Sequence, residues 1–172
     1  MSKHDLFYLY DVPTHDDIKD TLLLYFDELT QKHTLNNNPS RNISATDYFH
    51  KEYGGRPPYN FLVMDHLVSI VINNMLPIYS CKSIEYQGCW FQQYHTGSDF
   101  SYHNHPRSHF AGIYYIELPE GCQTEFLGFE PPEVREGQLL IFPSYLVHRS
   151  PPNLNTERKS VIAFNFSIMY GK

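Results

Sequence analysis

After Pro77 the chain consists of short runs of β-branched and aromatic residues that are separated by Gly, Pro and Asn. Such runs are typical of β-strands bounded by turns. They do not alternate with helical patterns, so βαβ units are not expected. The sequence therefore predicts a mainly β fold, a sandwich or jelly roll with N-terminal helices packed on one face. The four clearest runs are SIEYQGCWFQQYH, GIYYIEL, QLLIF and KSVIAFNFSIMY.

Two amphipathic helices are predicted before this β-rich half. Residues Thr14 to Gln31 begin with an N-cap candidate, Thr14, and continue with apolar residues at helical spacing. Residues Asn60 to Met75 predict a second, more apolar helix, which Pro77 is expected to end. The core face of this second helix is expected to carry Phe61, Met64, Leu67, Ile70, Val71 and Met75.

The composition limits the domain organisation and the partners. The chain has 172 residues, 41% hydrophobic and 16% aromatic, which suits one packed domain with a helical support region at 1–78 and a β-barrel core at 79–172. The formal net charge is −6 and there is no run of Lys or Arg, so neither nucleic acid nor an anionic membrane is expected as a partner. No apolar run is expected to be long enough to span a bilayer. Three cysteines without CxxC spacing are expected to be reduced thiols of a cytoplasmic protein.

Histidines are concentrated in the segment GSDFSYHNHPRSHF. His103 and His105 are separated by one residue, so on a strand both side chains point to the same face, as two ligands of one metal ion require. His148 follows a predicted strand and a turn in EGQLLIFPSYLVHRSPPN, and a barrel brings such distant positions together. The pattern predicts a metal site. Two exposed histidines on an edge strand are the simpler alternative for His103 and His105.

Ten residues after His148, Arg158 lies in the predicted strand TERKSVIAFNF, and Ser160 shares its face. An arginine that points into a closed barrel needs an anionic partner. We therefore expect Arg158 and Ser160 to bind an anion inside the barrel.

From about Trp90 to Ile168 the chain resembles the Fe(II)/2-oxoglutarate-dependent oxygenases, in particular the small prolyl-hydroxylase-like members. The resemblance rests on four successive blocks: WFQQYHTGSDFSYHNHP, GIYYIELPEGCQTEF, EGQLLIFPSYLVHRSPP and ERKSVIAFNF. That family has a double-stranded β-helix with an HxD…H metal motif and an Arg about ten residues beyond the distal His. The resemblance implies this fold and an oxidoreductase that couples oxidative decarboxylation of 2-oxoglutarate to oxidation of a substrate, with Fe(II) and O₂.

The resemblance also implies the iron ligands. His103 would be the first ligand and His148 the distal one. The family places Asp or Glu where this chain has His105. The implied facial triad is therefore three histidines, which leaves the Fe(II) site one positive charge richer and alters its redox potential and metal selectivity.

The co-substrate site follows from the same resemblance. Arg158 and Ser160 would bind the distal carboxylate of 2-oxoglutarate. Tyr94 or Tyr102 could contribute a hydroxyl to that site.

The chain also resembles the cupins, whose barrel is the same. In the cupin pattern His109 stands where Glu is usual and Tyr145 replaces a Gly. His109 is then either an extra ligand or a strand histidine beyond the break at Pro106. The matched positions are Gly97, His103, His105, His109, Gly137, Pro143 and His148.

Three functions are compatible with these residues. The first is a 2-oxoglutarate-dependent dioxygenase with His103, His105 and His148 as its catalytic metal centre. The second is a cupin-type three-histidine dioxygenase that binds its organic substrate directly on the metal and does not require the Arg158 and Ser160 pair. The third is a jelly roll that binds metal or a small acid without turnover. The substrate is expected to be a small molecule or a peptide, and the sequence predicts neither its identity nor the oligomeric state.

Overall fold

The computed structural model describes residues 6–32, 42–48 and 56–171. The first helix is α1 (His15–Lys32). A second, continuous helix is made of α2 (Asn60–Leu62), a π-helical segment (Val63–Val68) and α3 (Ser69–Tyr79). The strands of the described residues are β1 (Tyr8–Asp11), β2 (Ala45–Thr46), β3 (Ser83–Tyr94), β4 (Phe100–His103), β5 (Phe110–Glu117), β6 (Glu125–Phe126), β7 (Gln138–Pro143), β8 (His148–Ser150) and β9 (Lys159–Met169).

The strands form two antiparallel sheets. The large sheet has the order β1-β7-β5-β9-β3-β2, and the small sheet has the order β4-β8-β6. The predicted mainly β jelly roll with N-terminal helices is confirmed. Two short strands of the N-terminal region, β1 and β2, extend the large sheet at its two edges, and the sequence analysis did not predict them.

The central strands β5, β7 and β9 of the large sheet have two buried faces, because helices cover one face and the small sheet covers the other. On β9, Ile162 and Phe164 belong to the core cluster that includes the helices, whereas Val161 belongs to the cluster between the sheets. On β7, Leu139 packs with the helices and Leu140 packs between the sheets. Alternation along the strand thus decides whether a residue faces the helices or the interior of the barrel.

Helix α1 packs on one face of the large sheet. It spans His15–Lys32, which confirms the helix predicted between Thr14 and Gln31. Leu22 and Phe26 are buried there, and the ring of Phe26 stacks on Phe91 of β3 with centroids 4.4 Å apart. The hydroxyl of Thr14, which precedes the helix, lies 2.9 Å from Nδ1 of His66, so it joins the two helices.

The second helix differs from its prediction in two respects. It continues past Pro77 to Tyr79 and ends at Ser80, which has left-handed φ and ψ angles of 50° and 36°. Pro77 has no N–H to donate to the carbonyl oxygen one turn earlier, so the last turn lacks one helical hydrogen bond. Phe61 and Met64 are exposed instead of buried, because the wide π-helical turn shifts the spacing of the inward positions. The buried residues are Val63, Leu67, Val68, Val71 and Met75.

The segment Asn60–Tyr79 has 20 residues and a mean hydropathy of 1.6, so by length and composition it could cross a membrane. The expectation that no run reaches this length is therefore wrong. One such helix is weak evidence for a membrane span, since helices that pack on a core pass the same test. Here Val71 and Met75 are fully buried in the helix-and-sheet core, and 28% of the apolar window is buried.

Candidate metal centre

Three histidines face one another at the small sheet. Strands β4 and β8 pair so that His103 lies opposite His148. His105 follows β4, and its backbone N–H donates a hydrogen bond of 2.9 Å to the carbonyl oxygen of Ser144. The ring centroids of His103 and His148 are 4.4 Å apart, and each is 5.2 Å from that of His105. One nitrogen from each ring lies within 4.8 Å of the other two.

Two of these rings have a fixed tautomer. Nδ1 of His103 lies 2.9 Å from the carbonyl oxygen of Ser101, and Nδ1 of His148 lies 2.9 Å from that of Leu146. A carbonyl can only accept, so both rings carry their proton on Nδ1. The lone pair of Nε2 is then available to a metal ion.

His148 is held neutral. Burial, and then the neighbouring His103, lower the pKa of His148 to about 3. A neutral imidazole does not have to lose a proton before it binds a cation. Three imidazole ligands suit Fe, Zn, Cu or Ni, so these residues fit a ferrous ion.

A cavity of about 120 Å³ extends from the three histidines between the sheets to Lys159 of β9. Lys159 is only 2% exposed, and burial lowers the pKa of its ammonium group to about 7. Its Nζ donates a hydrogen bond of 2.8 Å to Ser150 Oγ and lies 5.2 Å from the ring centroid of Tyr94. A buried ammonium group that contacts a hydroxyl and an aromatic ring can take a carboxylate as its partner.

Arg158 and Ser160 do not line this cavity, so the prediction that they face the barrel interior is wrong. Nε of Arg158 donates to Glu117 at 2.8 Å, and Nη1 lies 3.4 Å from Asp27 of α1. The hydroxyl of Ser160 donates to the same Glu117 carboxylate at 2.5 Å. Both side chains lie on the helix-facing side of the large sheet, and the intervening Lys159 faces the cavity.

The two candidate tyrosines also separate. Tyr94 is 1% exposed and lines the cavity beside Lys159. Tyr102 is 43% exposed, and the guanidinium of Arg149 lies 4.9 Å from its ring centroid, so its predicted place in the cavity is wrong. The irregular register between Phe100 and His103 explains this, because it turns both of those residues inward and leaves Tyr102 outside.

The candidate metal group found among the described residues contains the three histidines and no carboxylate. Glu125 of β6, in the small sheet, accepts a hydrogen bond of 2.7 Å from Nε of Arg149. His109 also lies outside the cluster, and its Nδ1 accepts a hydrogen bond of 3.2 Å from the N–H of Ile168. His109 directly precedes β5, and its backbone N–H donates a hydrogen bond of 3.2 Å to the carbonyl oxygen of Phe166 in β9.

A second cavity of about 440 Å³ adjoins the first. The two share a wall made of Tyr48, Trp90, Asn104, His105 and Asn165. The rings of Tyr48 and Trp90 meet edge to face with centroids 4.9 Å apart, and the ring of Trp90 lies 5.9 Å from that of His105. The outer cavity thus leads directly to the histidine cluster.

Comparison with solved structures defines the fold, although no family model and no curated protein matches the sequence. The 2-oxoglutarate complex of a viral collagen prolyl hydroxylase from Paramecium Bursaria Chlorella virus-1 has a TM-score of 0.63 and 15% identity, over 94% of this chain and 96% of that one. A 2OG-Fe(II) oxygenase family oxidoreductase from Burkholderia pseudomallei has a TM-score of 0.60 and 10% identity, over 94% and 84%. The chain has the fold of the 2-oxoglutarate/Fe(II) oxygenases.

A third structure of this fold is HygX from Streptomyces hygroscopicus with nickel and 2-oxoglutarate bound, with a TM-score of 0.60 and 11% identity, over 93% of this chain and 81% of that one. The fold that the sequence resemblance implied is thus confirmed. Lys159 and Asn165 are among the residues of the cavity wall that the sequence analysis missed. Both lie on the same face of β9 as Val161. If one residue of this strand had been known to point into the barrel, alternation along the strand would have identified them.

Proposed function

We propose that the protein is an Fe(II)- and 2-oxoglutarate-dependent dioxygenase. The observation that carries this proposal is that one cavity is lined both by the three histidines and by the buried Lys159. His148 and Ser150 lie two positions apart on β8 and share a face, about 7 Å apart along the strand at a rise of 3.3 Å per residue. Lys159 contacts Ser150, so this span suits a five-carbon dicarboxylate.

In this arrangement His103, His105 and His148 would hold the ferrous ion. The ion, when bound, would supply the O₂ chemistry that couples decarboxylation of 2-oxoglutarate to oxidation of a substrate. Three neutral ligands leave the charge of Fe(II) uncompensated by the protein. The dianionic co-substrate would balance that charge, which favours its binding next to the cluster.

Lys159 would bind the distal carboxylate of 2-oxoglutarate, with Ser150 and Tyr94 beside it. This role replaces the one that the sequence suggested for Arg158 and Ser160. The apolar wall of the cavity, which includes Ile113, excludes water and strengthens the ion pair.

The substrate that is oxidised would occupy the second cavity, next to His105. The cavity volume of about 440 Å³ and the aromatic pair Tyr48 and Trp90 in its wall suit a small molecule or one side chain of a peptide. The viral neighbour is a prolyl hydroxylase, which supports an amino-acid side chain as one candidate.

The decisive experiment is an anaerobic titration of the Fe(II) protein with 2-oxoglutarate, followed by visible absorption of the Fe(II)–keto acid chelate. We expect a saturable band in the wild type and its loss in Lys159→Met. Succinate formation after O₂ is admitted then tests turnover. Iron binding without a chelate band would favour the direct-chelating three-histidine dioxygenase, and a chelate without succinate would favour a non-catalytic binder.

A further inference from the structure

The side chain of Asn165 on β9 lies against His105 of the candidate metal centre. Its Nδ2 is 3.5 Å from Nδ1 of His105. Among the residues that the structure describes, Oδ1 of Asn165 is the one buried side-chain N or O atom without a hydrogen-bond partner. In this amide group Nδ2 therefore makes a long contact with the candidate metal ligand His105, and Oδ1 accepts no hydrogen bond. A buried oxygen without a partner is unfavourable.

A rotation of 180° about χ2 exchanges the oxygen and nitrogen of an asparagine amide and leaves the shape of the side chain unchanged. After this rotation Oδ1 of Asn165 faces Nδ1 of His105. Because a carbonyl oxygen accepts, it stabilises the tautomer with the proton on Nδ1. The other orientation would place a donor against Nδ1 and the ring proton on Nε2, where it would block a metal ion.

We propose that Asn165 is the positioning residue for His105, and that its amide oxygen holds this ring in the tautomer that presents Nε2 to the metal. This inference rests on the proposed metal centre. For His103 and His148 the same task is performed by the carbonyl oxygens of Ser101 and Leu146. His105 would thus receive from a side chain of β9 what its two neighbours receive from the backbone.

The choice of an amide has a chemical consequence. An acceptor on the distal nitrogen orients a ligating imidazole and raises its basicity. Asparagine does this without adding charge, so the centre keeps a neutral ligand set. The position of Asn165 in the wall between the two cavities also ties the ring of His105 to β9 of the large sheet.

The test uses the full chain loaded with Co(II), whose histidine ligands give paramagnetically shifted N–H proton signals that exchange with water. The wild type should show three such signals, one for each ring. In Asn165→Leu, which cannot accept, the His105 signal should broaden or disappear by exchange while the other two persist. Co(II) affinity should fall by about 10- to 100-fold, as for other partners of metal-bound histidines.

Asn165→Asp restores an acceptor and should restore the third signal and the affinity. Ser167→Ala is the matched control, because Ser167 lies two residues along the same face of β9 and contacts Gln87 and His109 instead of His105. Three persistent signals and unchanged affinity in Asn165→Leu would overturn the inference and leave the metal centre intact. Failure of the wild type to bind Co(II) would overturn both proposals.

Discussion

Arg158 directly precedes β9 and Lys159 is the first residue of this strand, but their side chains lie on opposite faces of the large sheet. Nζ of Lys159 donates to Ser150 at 2.8 Å inside the barrel, whereas Nε of Arg158 donates to Glu117 at 2.8 Å on the face that α1 covers. Lys159 therefore lies in the interior of the barrel, and Arg158 lies between the large sheet and α1. Arg158 already has a carboxylate partner outside the cavity, whereas Lys159 lines the cavity and can take the carboxylate of a bound acid as its partner.

We expect Lys159→Met to abolish most 2-oxoglutarate binding and to leave Fe(II) binding unchanged. Loss of one partner of a buried charge pair costs on the order of 2–5 kcal/mol, which is a roughly 30-fold to several thousand-fold loss of affinity. Calorimetry on the anaerobic Fe(II) protein measures it. Arg158→Met is the matched control and should lower the free energy of unfolding with little change in affinity. An equal loss of affinity in a folded Arg158→Met protein would contradict the assignment.

The affinity for 2-oxoglutarate should depend on pH through Lys159. The pKa of this ammonium group is about 7 in the free protein because burial disfavours its charge, and a bound carboxylate would raise it. Below pH 7 Lys159 is charged both with and without ligand, so the affinity is constant. Above pH 7 the free protein loses the proton that the complex retains, so the affinity falls by up to about tenfold per pH unit.

Dissociation constants measured between pH 6 and pH 9 at constant ionic strength test this dependence. Lys159→Arg is the control, because its guanidinium stays charged over this range and its affinity should not change with pH. A wild-type dissociation constant that does not change with pH would mean that 2-oxoglutarate binding is not coupled to the protonation of Lys159.

The fold could be predicted because its strands are short, rich in β-branched and aromatic residues, and separated by turn residues. The sequence did not predict the inward face of the second helix or the residue at which it ends. The sequence carries no signal for the π-helical turn at Val63–Val68, and this turn moves Phe61 and Met64 to the surface. Proline signals a helix end without fixing the residue, and here the helix continues for two residues beyond Pro77.

The co-substrate end of the site was mispredicted for a physical reason. Almost every residue of β9 is buried, because helices cover one face of the strand and the small sheet covers the other. The sequence therefore lacks the polar and apolar alternation that would identify the inward face. His103 and His148 posed no such problem, because β4 and β8 place them opposite each other and no choice of face on β9 is involved.

The metal ligands can be tested one by one. His103→Ala and His148→Ala should each abolish tight Fe(II) binding, because two remaining imidazoles form a poor site, and the fold should persist. His105→Asp should retain binding, since a carboxylate replaces one ligand and lowers the charge of the centre. Metal analysis of protein purified without oxygen measures occupancy. Full occupancy in His103→Ala would exclude this centre, and unchanged affinity in His105→Ala would remove His105 from it.

The last prediction concerns Gly112 of β5, which lies directly opposite Phe164 of β9. A Cβ atom at residue 112 would lie 2.5 Å from the tip of the Phe164 ring. That ring is 1% exposed and packs beside Phe166, so it has little room to move. Gly112→Ala should therefore lower the free energy of unfolding by about 1–3 kcal/mol.

Urea denaturation measures this change. The urea concentration at the midpoint of unfolding should fall, and the dependence of the unfolding free energy on urea concentration should stay unchanged. The cost of Gly112→Ala should be smaller in a Phe164→Leu background, because the shorter side chain leaves space for the added methyl group. An equal cost in both backgrounds would show that strain in the β5 backbone, and not contact with Phe164, requires glycine at this point of the cavity wall.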